Sequence, residues 1–273
     1  MIPGGALELA DRPLYRPFGD LLRLAGAGAL PDCRRLNEIV ATRVPGLISS
    51  AGAPLRFALP SADVALGYEQ RIARTGEVAT RPGDWHDFFN ALVWAVYPQS
   101  KRALNVRHLR EIERQEGDAR RRGPVRDALT QFDECGVVVS TALPELAEAL
   151  AAHEWESVFW TRRARLAGAM DFSVFGHASL DLLREPFIGL CGKALYRPVG
   201  RAWFELPTER RCEELDAWLA ARIADDSRFR SPREFSALPL LGIPGVTHHS
   251  ECRDYYLDTR QFRPRRRRGL SPE

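Results

Sequence analysis

The residues best suited to chemistry lie in the run Trp85-His86-Asp87-Phe88-Phe89-Asn90-Ala91-Leu92-Val93-Trp94, followed by Asn105 and His108. His, Asp and Asn here interrupt a stretch whose other members favour burial, and a buried polar group is costly unless something partners it. Two further groups are candidates to converge with them: the adjacent carboxylates Asp133 and Glu134, and His177 after Gly176. Imidazole and carboxylate are the side chains that hold a divalent ion and lower the pKa of a bound water, which is the requirement of metal-assisted hydrolysis. The expected ligands are His86, His108, Asp133 and His177. His86, Asp87, Asn90, Asn105, His108 and Asp133 form the candidate catalytic set. The spacing matches no HExxH, GxSxG, P-loop or GxGxxG pattern. The alternative is a non-catalytic binding or interaction protein in which the same His/Asn cluster is structural.

Each residue also has a plain structural use. Asp84 is a good helix N-cap, and Asp87 is the acid three positions later in a capping-box-like start. Asn90 and Asn105 are amides able to bridge two helices. His86, near a helix N-terminus, should be biased by the helix dipole toward neutral imidazole. His108 sits between Leu104 and Ile112 on an apolar face. Asp133 and Glu134 read either as turn formers or as ligands and general bases on a loop. His248-His249 with Glu251 and Cys252 resembles a ligand cluster, but adjacent residues rarely share one metal. The acids beside Cys135 should raise its pKa and disfavour a reactive thiolate.

The elements that must position these groups can be read from periodicity and breakers. Residues 19–25 and about 32–44 carry apolar positions at helical spacing, separated by Gly26, Gly28 and Pro31. Residues 55–59 suggest a strand, about 65–74 a helix ending at Gly76, and 80–83 a turn. The next helix should run from Trp85 to about Tyr97, where Pro98 interrupts it, and another from about Gln99 to Arg114. If these two form an antiparallel hairpin, His86 and His108 lie about 15–16 Å from the turn and Asn90 and Asn105 about 10 Å, so the pairs come out level. Residues 117–123 read as an exposed basic loop. Residues 128–132 and 137–141 around Asp133-Glu134-Cys135-Gly136 suggest a β-hairpin. A long helix is expected over about 144–167, then a helix from His177 to Pro186, a short strand over 192–198, a helix over 208–224, and a Pro- and Gly-punctuated coil from Pro239. The sum is a helix-rich α+β fold with a central helical hairpin and a small β-hairpin or sheet, lacking regular βαβ alternation.

Composition sets the outer bounds. At 273 residues and 45% apolar the chain can bury a substantial core, and a single globular domain over 1–262 with a basic, disordered tail over 263–273 is expected. No window approaches a membrane span or a secretory signal, so a soluble cytoplasmic protein is expected. The five cysteines are odd in number and widely spaced, without CxxC, which suggests reduced thiols. Net charge is +3, and Arg263 with Arg265 to Arg268 supplies five of the positive charges, leaving 3 − 5 = −2 for the rest. Nucleic acid is therefore not an expected partner except through that tail. Lys101 and Lys193 are the only lysines.

The block from Trp85 to Trp94 with Tyr97-Pro98, and Lys101 through Ala103-Leu104-Asn105 to His108, resembles a bacterial family, domain of unknown function 3025 (DUF3025). So do Arg122-Gly123-Pro124, Asp127-Ala128-Leu129-Thr130, Phe132-Asp133-Glu134 with Gly136, Val174-Phe175-Gly176-His177-Ala178, Pro239 to Gly245, Tyr255-Tyr256 and Phe262-Arg263-Pro264. The likeness spans roughly residues 65 to 265. It implies one family domain and no particular activity, substrate or cofactor. Where the family tends to place Trp after Pro-Gly, this chain has Val246, Thr247 and His248, which lowers interest in the His248-His249 pair.

Overall fold

The structure is a computed structural model that describes residues 5–61, 65–114 and 123–265. It opens with 3-10 turns at Ala6–Leu9 and Pro13–Phe18, then α1 (Gly19–Ala25) and α2 (Cys33–Arg43). Asp32 caps α2 by accepting the Arg35 backbone N–H at 2.7 Å. β1 (Arg56–Ala58) precedes α3 (Tyr68–Thr75), which ends where Gly76 adopts a left-handed φ of 72°. β2 (Glu77–Ala79) then pairs parallel with β1.

The two central helices are α4 (Trp85–Val96) and α5 (Pro98–Arg114), with only Tyr97 between them. Asp84 caps α4 as its chemistry suggests, accepting Asp87 N–H at 3.0 Å. Every residue of α4 from Phe88 to Val96 is buried, including Asn90, so this helix is enclosed on all sides. α4 and α5 touch, but each has a larger neighbour: α4 lies along a later helix, α8 (His177–Leu182), and α5 along α9 (Thr208–Ala224). These follow in α6 (Pro124–Cys135), β3 (Gly136–Thr141), α7 (Pro144–Ala151), β4 (Met170–Val174), α8 (His177–Leu182), β5 (Cys191–Pro198), α9 (Thr208–Ala224) and β6 (Ser236–Pro239).

The main sheet has the order β4-β3-β5-β6, with β3 parallel to β5 and the outer pairs antiparallel. All six residues of β3 are buried, as expected of a strand paired on both edges and covered on both faces. An apolar cluster runs from Ala6 to Phe262 and takes in Phe88, Phe89 and Trp94 of α4, Val137 to Val139 of β3 and Leu215, Leu219 and Ile223 of α9. No helix among the described residues is long and apolar enough to cross a membrane.

Two local expectations are corrected. Residues 128–132 belong to α6 and not to a β-hairpin. Pro124 starts this helix, and Val125, Ala128, Leu129 and Phe132 recur at helical spacing toward the core. The helix passes directly into β3 at Gly136, where a Cβ would lie 2.4 Å from the Phe132 carbonyl oxygen. The helix expected over 144–167 stops at Ala151, because His153 turns left-handed (φ 65°). His153 Nδ1 and Trp155 Nε1 then both meet the Arg263 carbonyl, at 3.1 and 2.9 Å. A π turn (Ser157–Thr161) and a 3-10 turn (Arg163–Arg165) fill the remainder. The coil expected from Pro239 follows directly on β6 and carries three 3-10 turns, with Leu240, Leu241 and Ile243 buried. The basic loop over 117–123, save Gly123, and the tail from 266 onward lie outside the described residues.

Candidate functional site

α4, α6 and α8 bring three potential ligands to one place. His86 projects from the first turn of α4, Glu134 from the last turn of α6, and His177 from the first residue of α8. Their donor atoms all lie within 4.8 Å of one another. Glu134 Oε2 faces both imidazoles through the same ring atom, His86 Nε2 at 3.1 Å and His177 Nε2 at 3.5 Å. The opposite nitrogens face other carboxylates: His86 Nδ1 lies 3.4 Å from Asp87 Oδ1, and His177 Nδ1 lies 3.9 Å from Asp133 Oδ1. The rings approach to 4.4 Å between centroids at 73°. Metal-ligating histidines meet an ion through one nitrogen while the other faces an outer carboxylate, and the two rings are turned in that sense, although at 3.9 Å Asp133 makes no hydrogen bond to His177 Nδ1.

Backbone packing sets this geometry. Gly176 lies against the end of α6 so closely that a Cβ would be 2.5 Å from Cys135 Cα, Cys135 N and the Glu134 carbonyl oxygen. The N–H groups of Phe175 and Gly176 both donate to the Gly136 carbonyl at 2.9 Å. Only a residue without a side chain lets His177 come down onto Glu134 here.

The electrostatics separate the two histidines. The hydrogen bond that His86 donates to Glu134 outweighs burial and lifts the His86 pKa to about 8. This reverses the helix-dipole expectation of a neutral ring, because a partner carboxylate at 3.1 Å is stronger than a half-charge at a helix end. His177 is pushed the other way: burial lowers its pKa despite Asp133 and Glu134, so its ring is neutral at neutral pH. With 4% of the residue exposed and Nδ1 without a hydrogen-bond partner, it is a buried imidazole with unused capacity. Burial alone would raise Glu134 and Asp133. The histidines hold Glu134 below the usual carboxylate range, and the Lys101 ammonium, 2.6 Å away, holds Asp133 there together with His177 and His108.

A second layer surrounds the trio. Lys101, Asn105 and His108 lie at i, i+4 and i+7 on α5, one face of a helix. Lys101 is buried, bonded to Asp133 and placed 5.6 Å from the centre of the Trp94 ring. Asn105 donates to the Glu69 carbonyl oxygen at 2.9 Å and to Glu69 Oε2 at 2.7 Å, and accepts from Ser50 Oγ at 2.6 Å. Asn90, one turn beyond His86, donates to the Tyr68 hydroxyl at 3.2 Å, while its Oδ1 is buried without a partner. Tyr68 is 48% exposed as a residue, but its hydroxyl is turned inward onto Asn90, where burial raises its pKa. Burial also pushes Glu69 up to about 7, against the opposing hydrogen bond from Asn105.

The structure thus brings together His86, His177 and Glu134 directly, with Asp133 against His177. His108, buried on α5, joins no ligand trio among the described residues and adds only its charge at Asp133, and the two asparagines meet α3 in place of each other. Asp87 is engaged in holding the chain entry to α4: it accepts from Arg81 N and Nε, both at 2.8 Å, and from Arg81 Nη2 at 2.9 Å. Asp84, His86 and Asp87 also form a close trio, but both carboxylates are occupied by Arg81 and the helix cap. The rings of His248 and His249 lie 3.9 Å apart at a tilt of 40° and join no three-ligand group among the described residues. Burial raises the Cys135 thiol, and Glu134 adds to the effect.

Sequence reasoning left out Tyr68, Glu69 and Lys101. The face shared by Lys101, Asn105 and His108 was a usable signal for the lysine. For Tyr68 and Glu69 the sequence holds none, since their partners lie 22 and 36 positions away.

The whole constellation falls inside a recognised sequence domain. The family model described as a protein of unknown function, DUF3025, matches residues 55–266, a span that contains all of the residues above except Ser50. No curated protein and no solved structure matches the chain. With well over half of its length matched, the chain belongs to the DUF3025 family.

Proposed function

We propose that this protein is a metal-assisted hydrolase whose divalent ion is held by His86, His177 and Glu134. The observation that carries the reading is the shared orientation of the two rings: both turn Nε2 to one oxygen of Glu134 and Nδ1 to an outer carboxylate. Two imidazoles and one carboxylate form a ligand set of catalytic zinc sites, which leave a coordination position for water or substrate. An ion so held polarises a carbonyl or phosphoryl oxygen and lowers the pKa of a coordinated water.

The protein's own groups have roles consistent with this chemistry. Asp133, fixed by Lys101, faces His177 Nδ1 at 3.9 Å and supplies negative charge there without a hydrogen bond. Glu69, with its proton affinity near neutrality, is suited to general acid–base work, and Asn105 holds its carboxylate in place. Asn90 and Tyr68 present a buried amide and a hydroxyl on the His86 side of the cluster. His86 and Glu134 keep about a third of their side chains exposed, so solvent reaches the trio.

The test is turnover of a panel of nitrophenyl esters and phosphoesters by untagged protein stripped of metal and then supplied with zinc or manganese. Metal-dependent hydrolysis that disappears in Glu134→Gln supports the reading. Turnover that is absent throughout, or indifferent to metal and to Glu134→Gln, contradicts it. The second reading, a non-catalytic protein with a structural cluster, is favoured by one fact: Glu134 by itself already bridges the two histidines. A fold destabilised by Glu134→Gln, in a protein without turnover, is its signature.

A further inference from the structure

A second place in the molecule, sharing no lining residue with the histidine cluster, has the form of a small-molecule site. The 3-10 turn at Pro13–Phe18, the edge strand β4 and the first turn of α9 border a cavity of about 490 Å³, within the size range of ligand pockets. Its lining divides by chemistry. Leu14, Phe172, Phe204 and Ile243 contribute apolar wall, while Arg16, Arg163 and Arg211 contribute guanidinium groups and Asp171 a carboxylate.

The charges do not cancel. Arg163 is held bidentately by Glu251, at 2.8 and 3.1 Å. Arg211 pairs with Asp171 at 3.3 Å and lies 5.6 Å from the Trp203 ring centre. The Arg16 guanidinium makes neither a hydrogen bond nor an ion pair among the described residues, although on its other side it borders a pocket with Asp11, Asp20 and Glu209. One positive charge therefore remains unmatched beside an apolar wall. A second donor is idle as well: Arg211 Nε is buried and makes no hydrogen bond. A smaller adjoining pocket shares Pro13, Arg16, Asp171, Phe172 and Arg211, so Arg16 stands where the two meet.

We propose that this cavity binds a small monocarboxylate with an apolar or aromatic body, its carboxylate pairing with Arg16 and its body lying against Phe172 and Phe204. A guanidinium matches a carboxylate through two parallel N–H bonds, and a single unmatched cation suits a monoanion. The apolar wall adds affinity in proportion to the area it covers.

Isothermal titration of the full chain with phenylbutyrate, phenylbutanol and inorganic phosphate tests the assignment, using the wild type, Arg16→Gln and Phe204→Ala. The expected result is one saturable equivalent of phenylbutyrate, bound about tenfold more tightly than the alcohol, the increment of one charged hydrogen-bonded contact. Arg16→Gln should erase that difference, and Phe204→Ala should weaken acid and alcohol alike. Arg16 is exposed, so its replacement should leave the melting curve unchanged. Absence of phenylbutyrate binding, equal binding of acid and alcohol by the wild type, or phosphate binding as tight as phenylbutyrate overturns the proposal.

Discussion

Helix α5 carries buried polar side chains on two faces, and the two sets behave differently. Toward α9 they close on one another. Asp216, buried on α9, accepts the Gln99 and Ser100 N–H groups at 2.9 and 2.8 Å, capping the start of α5. Arg107, 2% exposed, donates to the carbonyls of Ile223 and Asp225 at 3.1 and 3.0 Å, capping the end of α9. It also meets Asp226 Oδ1 at 3.1 Å, and its Nε, which has no hydrogen bond, still faces Glu111 at 3.7 Å. Each helix supplies the groups that the other's terminus lacks. Toward α3, α6 and α8, the Lys101 and Asn105 side chains of α5 are paired, but groups on the neighbouring helices are not: His177 Nδ1 and Asn90 Oδ1 are buried without hydrogen bonds, and two imidazoles share a single oxygen. Buried polar groups that satisfy one another specify a fold. Groups that converge and remain under-satisfied mark where a ligand would complete them.

This contrast can be broken by experiment. The largest effect should come from the α5–α9 side. Arg107→Met strands the Ile223 and Asp225 carbonyls at the end of α9, while Glu111 keeps Arg114 at 2.7 Å, and should lower unfolding stability by about 2–4 kcal/mol in urea titrations, as loss of two hydrogen bonds from a buried charged donor does. Zinc affinity of the surviving folded fraction should be unchanged; a parallel loss of zinc binding would mean that the two faces of α5 are one unit.

The pH response of the other side is smaller and more specific. The folded-state pKa of His86 is raised to about 8, above its ordinary value near 6.5. Its pairing with Glu134 therefore stabilises the metal-free protein fully below about 6.5, and that contribution is lost as pH rises through about 8. Ligation requires the neutral ring, so the sign for metal is opposite: affinity should climb about tenfold per pH unit up to about 8 and then level off. Zinc titrations across that interval check both the slope and the break, and a flat profile would remove His86 from the ligand set.

The smallest effect should be on stability at His177. His177→Leu replaces a buried, under-bonded imidazole with an apolar side chain, and the metal-free variant should stay within about 1 kcal/mol of the parent in urea. A loss comparable to that of Arg107→Met would place the histidine among the fold-specifying groups.

Much of the scaffold was legible because its signals are local. Asp84 and Pro98 bracket α4, Gly76 ends α3, and the stripe of Leu215, Leu219 and Ile223 marks α9. The choice of carboxylate was not legible. At a hairpin tip Asp133 and Glu134 would be equivalent loop residues, and Asp133 was the one assigned to the metal. On the last turn of a helix, neighbouring side chains point about 100° apart. Glu134 consequently reaches the histidines while Asp133 reaches Lys101, and this depends on reading Val125, Ala128, Leu129 and Phe132 as a helical stripe and not as β-rich sequence. The level placement of His86 with His108 failed for a related reason. It assumed that α4 and α5 are each other's main neighbours, whereas α8 and α9 take that role, and long-range packing of this kind leaves no mark in residue spacing.

The central claim is that His86, His177 and Glu134 together hold one divalent ion. Isothermal titration of zinc into untagged, metal-stripped protein, alongside His177→Gln and Glu134→Gln, addresses it most directly. The account predicts one tight equivalent for the parent, and at least about a hundredfold weaker binding in each variant with the fold retained. No saturable binding by the parent, or binding that survives both substitutions, would contradict it.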